Sequence, residues 1–134
     1  MKYAGQHYYL AVSASPVRRF SRGLADALRL PRTAARIVEI LARSRRQMSV
    51  QEIVRRVRMS ERSVRGNLAL LVRRGILEKR VVVTAKKRIA YLYRLRPVDE
   101  LLGAVRRQFV RNFAALRRAA RRRISPRIAA SARN

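Results

Sequence analysis

Cysteine is absent from the 134 residues, and histidine occurs once, at His7. The first absence removes disulfides, thiolate nucleophiles and cysteine-ligated zinc. The second removes a Ser-His-Asp triad and any cluster of histidine metal ligands. Acids are scarce as well: 7 Asp and Glu stand against 34 Lys and Arg, a formal net charge of +27. Glu52, Glu61, Asp99 and Glu100 fall in the first turns of expected helices, where capping and the helix dipole account for them. Asp26, Glu39 and Glu78 are scattered. No carboxylate pair is left for general acid–base work, and no glycine-rich phosphate loop appears. The expectation is a protein that is not an enzyme, with no metal and no cofactor. Long apolar runs are missing too; none approaches the roughly 18 residues of a membrane span. The first stretch, MKYAGQHYYLAVSASPVRR, holds one early lysine and a short apolar patch, a poor export signal. A cytoplasmic, chromosome-associated protein without a membrane partner is expected.

What is present is arginine. Only Lys2, Lys79, Lys86 and Lys87 are lysines. A compact domain repels itself at such a charge, so a polyanion is the natural partner. The planar guanidinium pairs bidentately with phosphate and with guanine edges. A G+C-rich coding sequence would favour arginine over lysine, but it does not explain the missing acids. The hydrophobic fraction is 49%, enough for a core, so the charge does not imply disorder.

Local patterns divide the chain. Residues 1–14 carry Tyr3, Tyr8 and Tyr9, and Tyr8 to Val12 reads as a short strand or as part of an arm. Ser15-Pro16 reads as a cap with proline in the first turn of a helix bearing Val17, Phe20, Leu24 and Leu28; Gly23 weakens that helix. After Leu30-Pro31, Thr33 is predicted to cap a helix running to about Ser44, with Ile37, Val38, Ile40 and Leu41 inward. Ser44 to Gln47 is a polar turn. Ser49 with Glu52 forms a capping box that opens a short helix to about Arg58, burying Ile53, Val54 and Val57. Ser60 caps the next helix, where Val64, Leu68 and Leu71 recur at i, i+4 and i+7. Gly75 ends it. The period then changes. Ile76 to Thr84 is rich in β-branched residues, Ala85 to Arg88 is a basic turn, and Ile89 to Leu95 alternates as a return strand. Pro97 restarts the chain. Leu102, Val105, Phe109, Phe113, Leu116 and Ala120 then recur at helical steps to about Ile124, Ser125-Pro126 stops the helix, and a basic tail follows.

The capped helix over 50–58, the turn, the helix over 61–74 and the hairpin over 76–95 form, in that order, a helix-turn-helix with a wing. The expected fold is mostly α with a small β-hairpin: an N-terminal arm over 1–14, a winged helix-turn-helix over 15–96, a C-terminal dimerisation helix over 97–124 and a tail over 125–134. In such a fold the second helix enters the major groove of double-stranded DNA and the wing tip reaches backbone or minor groove. At 100° per residue, Arg62, Gly66, Ala69 and Arg73 lie opposite the buried face, with Ser63 and Arg65 flanking them. Arg62 and Arg65 are the candidates for base or phosphate contact, with Ser63 and, more weakly, Asn67 for hydrogen bonds. Gly66 would allow close approach of the helix. Lys86, Lys87 and Arg88 at the wing tip, and Arg55, Arg56 and Arg58 near the turn, would hold the backbone, although such charge runs are commonly just solvated. Tyr91 and Tyr93 either pack on the wing or stack on bases. Arg106, Arg107, Arg117, Arg118 and Arg121 to Arg123 line the last helix. Its apolar stripe of Leu102, Val105, Phe109, Phe113 and Leu116 is too long for a small domain to bury, so a homodimer is expected, unless the stripe folds back on residues 17–28.

The segment SVQEIVRRVRMSERSVRGNLALLVRRGILEKRVVV resembles the winged-helix core of archaeal regulators of the TrmB and Lrs types, and YLYRLRPVDELLGAV resembles their wing-to-helix junction. The resemblance covers residues 33–110 and implies DNA binding. Larger TrmB-type proteins add an effector domain and Lrp-type proteins a sheet domain. This chain is too short for either, so no small-molecule effector is evident, and the small dimeric proteins, some of which coat chromosomes, are the better match. A transcriptional regulator and an abundant chromatin protein both fit. An RNA-binding protein of the ribosome or its assembly is the alternative, permitted by the basic tail and the tyrosines.

Overall fold

The computed structural model describes residues 16–123. The Tyr8–Val12 segment, the Ser15 cap, Ile124, Ser125-Pro126 and the tail lie outside them. Helix α1 covers 16–27 and turns Leu24 and Ala25 inward, with Leu28 just beyond its end. Helix α2, Arg32–Ser44, buries Ala34, Ile37, Val38 and Leu41. Its cap differs from the expected one. Pro31 holds the N-cap position, and its carbonyl accepts the Ala35 N–H at 2.9 Å. Proline needs no hydrogen-bond partner for a missing N–H and comes with a helical φ of −56°, so the helix starts two residues early. Thr33 thus sits inside the first turn, and its hydroxyl meets Met59 Sδ at 3.1 Å.

Arg45 ends α2 in the left-handed region, and the chain then enters a strand not expected from the sequence. This strand, β1, is Met48–Ser49. It pairs antiparallel with the later strand β3, Ile89–Leu95, placing Met48 opposite Tyr93 and Ser49 opposite Leu92. Strand β2, Leu77–Val83, pairs with the other edge of β3, from Leu77↔Leu95 at the base to Val83↔Ile89 at the tip. Among the described residues the sheet is therefore three-stranded, in the order β1-β3-β2, rather than a lone hairpin. Two residues are too few to show a period, and their partner lies some forty residues on; only closure of the chain creates β1.

Ser49 ends β1 and also caps α3, Val50–Val57, its hydroxyl accepting the Glu52 N–H at 3.3 Å. Arg46 supplies the close partner of the Glu52 carboxylate, at 2.7 Å. The Arg46 hydrogen bond is the main cause of a Glu52 pKa below the usual carboxylate value, helped by its charge and by the Ser49 backbone. A depressed carboxylate stabilises the fold above its unfolded pKa, and that contribution disappears as pH falls through the lower folded value. Arg58 adopts φ +57° at the end of α3, and Ser60 caps α4, Glu61–Arg73, by accepting the Ser63 N–H at 3.1 Å. Val64, Leu68 and Leu71 are the buried residues of α4, as their spacing requires. After it, Gly75 N–H reaches Val72 O and Ile76 N–H reaches Leu71 O, a Schellman closure that needs the φ of +77° at Gly75. That turn delivers Ile76 and Leu77 straight into the core.

The core is one cluster. Met48, Ile53, Val57, Leu68, Leu71, Ile76, Leu77 and Leu101 fill it, together with the inward residues of α1 and α2. Tyr93 belongs to this core rather than to the wing surface, whereas Tyr91 is exposed with the Lys79 ammonium 4.0 Å from its ring centroid. Helix α5, Val98–Arg123, is anchored by Leu101 and Ala104, with Val105 partly covered. Farther along it leaves the domain: Phe109, Phe113 and Leu116 are 57–70% exposed, and the Phe109 and Phe113 rings stack 6.4 Å apart. Among the described residues, no helix is long and apolar enough to cross a membrane.

Candidate nucleic-acid interface

Three local causes place the candidate side chains. The Ser60 cap sets where α4 begins, its Val64–Leu68–Leu71 stripe sets its rotation, and the hairpin register sets the wing tip. Arg62, Arg65, Gly66, Ala69 and Arg73 are exposed on the side of α4 away from the core. Ser63 and Asn67 are half-buried on its flank, and the Asn67 side-chain amide is already donating to Ser63 O at 2.8 Å. Arg65 is also engaged: Nη2 and Nε lie 2.8 and 3.0 Å from Glu61 Oε1, one turn earlier. Any phosphate that Arg65 takes must compete with that carboxylate, whereas Arg62 is exposed without such a pairing to Glu61. The i,i+4 spacing of Glu61 and Arg65 was the signal in the sequence for this pairing.

Gly66 has nothing within 4 Å of where a Cβ would stand. The protein itself therefore does not require glycine there, and glycine inside a helix is unfavourable by roughly 0.8–1 kcal/mol relative to alanine. A Gly66→Ala protein should gain about that much unfolding free energy yet bind duplex less tightly, as denaturation and binding titrations on the same sample would show. Unchanged affinity would mean that nothing approaches the helix at Gly66.

At the wing tip, Thr84 N–H donates to Arg88 O and Lys87 N–H to Thr84 O, both at 2.9 Å, with Lys87 at φ +57°. Lys86, Lys87 and Arg88 are all exposed on this tight turn. Arg55, Arg56 and Arg58 are exposed at the end of α3. Arg56 shares a groove with Arg32, Arg36 and Met59, which joins α2 to the basic surface. Sequence reasoning missed Arg32 and Arg36; their i,i+4 spacing on the outer face of α2 was the available signal. Arg74, by contrast, turns back to donate to Leu28 O and ties α4 to the end of α1.

Residues 33–80, from α2 into β2, match the family model of the IclR helix-turn-helix domain. A solved structure of a possible transcriptional regulator from Methanosarcina mazei Go1 superposes with a TM-score of 0.66 at 11% identity, over 74% of this chain and 83% of that one. The chain has a winged helix-turn-helix fold. No curated protein sequence matches it.

Proposed function

We propose that this protein binds double-stranded DNA as a homodimer and acts in transcription regulation, with α4 in the major groove and the wing tip on the flanking backbone. The observation that carries the reading is the outward strip of Arg62, Gly66, Ala69 and Arg73 on the second helix of a capped helix-turn-helix. The match to a helix-turn-helix domain model supports it, and so does the likeness to the possible transcriptional regulator from Methanosarcina mazei. The finer likeness to small archaeal regulators of the TrmB and Lrs types rests on the sequence motif. Charge spread far beyond α4 also supports a chromatin role with little sequence preference.

Titrations on a selected duplex and a scrambled one separate reading from clamping. Arg62→Ala should cost about 1–3 kcal/mol and narrow the gap between the two duplexes. Replacing Lys86, Lys87 and Arg88 with alanine should weaken both alike and reduce the salt slope by about one unit per lost phosphate contact. If the wing variant loses sequence preference while Arg62→Ala keeps it, the wing is the reader. A chromatin role would show little gap in the wild type.

The dimer is proposed through α5. Leu102, Phe109, Phe113 and Leu116 stand in solvent along a helix about 39 Å long, and two-fold pairing would cover them. Val105, already packed on the core, would contribute less. Light scattering should give a dimer for the full chain and a monomer for Phe109→Lys/Phe113→Lys. A monomeric wild type would overturn the assignment.

A further inference from the structure

Past Ala104, which is buried against the domain, helix α5 carries a second face that the proposed dimer does not use. At 100° per residue, Arg107, Arg111, Arg118 and Arg122 form a row on the side opposite Leu102, Phe109 and Leu116. Arg106, Arg117 and Arg121 run along its flank. All seven side chains are exposed. Between residues 101 and 134 the sequence contains ten arginines and no acid.

A merely solvated helix face is built differently in this same protein. Helix α2 pairs Glu39 with Arg43, and α4 pairs Glu61 with Arg65, each at i,i+4. Helix α5 places Glu100 against Arg96 at its start and then stops alternating sign. Its arginines instead stand at i,i+4 from one another, at 107 and 111, 117 and 121, 118 and 122, where like charges destabilise a helix. Seven charges over residues 106–122 span about 24 Å in six steps of about 4 Å on average, comparable to the spacing of about 3.4 Å per phosphate along one strand of duplex DNA. The ridge also starts away from the wing tip. The chain enters α5 at the Leu77↔Leu95 base of the hairpin, about 20 Å from the Val83↔Ile89 end.

We propose that this arginine ridge is a second duplex-binding surface, holding backbone without reading sequence, on a stretch of DNA separate from that under α4 and the wing. It rests on the reading that α4 and the wing hold the first stretch. A row of arginines spread along one helix meets the phosphates that line a duplex more readily than guanine edges set inside a groove, so the ridge holds backbone.

The test uses the full chain and random-sequence duplex at several salt concentrations. A reading-face variant, Arg62→Ala with Lys86→Ala, Lys87→Ala and Arg88→Ala, should still bind with a steep salt slope. Adding Arg107→Gln, Arg111→Gln, Arg118→Gln and Arg122→Gln should remove that residual binding, and in an otherwise wild-type protein they should lower the slope by about 0.9 per lost contact, up to about 3.6. The same four positions changed to lysine should retain it; loss in the lysine variant overturns the proposal, and this comparison decides the case if the glutamine variant loses helix by circular dichroism. A reading-face variant that no longer binds duplex overturns the ridge while leaving the α4 reading intact. A wild type that binds no duplex overturns both. Tighter binding of the reading-face variant to anionic phospholipid vesicles, or to single-stranded RNA, than to duplex also overturns it.

Discussion

Duplex affinity should fall about 10³- to 10⁵-fold when salt is raised from about 50 to 200 mM, if the bound protein neutralises roughly 6 to 10 phosphates. The basis is the +27 charge and its placement. Arg62 and Arg73 on α4, Lys86, Lys87 and Arg88 on the wing, and Arg55, Arg56 and Arg58 beside the turn are exposed. Each phosphate contact releases condensed counterions, and the entropy of that release shrinks as salt rises. Arginine stays protonated throughout the neutral range, so the slope should be nearly the same at pH 6 and pH 8. Titrations by fluorescence anisotropy at four or five salt concentrations give the slope directly. A nearly flat log–log plot would show that charge does not drive binding.

The second large effect concerns the fold that carries the site. Leu68→Ala should cost about 2–5 kcal/mol of unfolding free energy. Leu68 is 1% exposed and sits mid-way along α4, between Val64 and Leu71 in the core cluster. Removing its side chain leaves a cavity under the helix proposed to read DNA, and a domain of this kind has only about 5–15 kcal/mol in total. Duplex binding should weaken in parallel, since the helix loses the packing that sets its rotation. Urea denaturation must be run at fixed protein concentration, because a dimer's apparent stability depends on it. A loss under 1 kcal/mol would mean that the Val64–Leu68–Leu71 stripe does not hold α4 to the core. Leu70→Ala, at a half-buried position on the same helix, should cost less.

The sequence by itself determined whatever depends on neighbours within about one turn. Ser49 and Ser60 cap because their hydroxyls reach an N–H three residues on. Gly75 closes α4 because it tolerates a positive φ. The apolar stripe of α4 and the alternation of β3 follow from side-chain periods of 3.6 and 2, and the basic charge is a matter of composition alone. The outward face of α4 was legible for the same reason: once three residues are inward, the opposite ones are outward.

Only the tertiary structure decided the rest. Strand β1 exists because Met48 meets Tyr93, and that meeting also takes Tyr93 into the core while Tyr91, two residues away, stays outside under Lys79. Arg56 joins Arg32 and Arg36 because α3 packs beside α2. Leu102, Phe109, Phe113 and Leu116 share one apolar stripe of α5 and all are exposed, while Leu101 and Ala104, off that stripe, and Val105 at its edge touch the core. Helical periodicity alone shows both faces as apolar in the first two turns. What decides is which side of α5 the domain meets and how far the domain extends beneath it, and both are set by the packing of the whole chain rather than by any window of it.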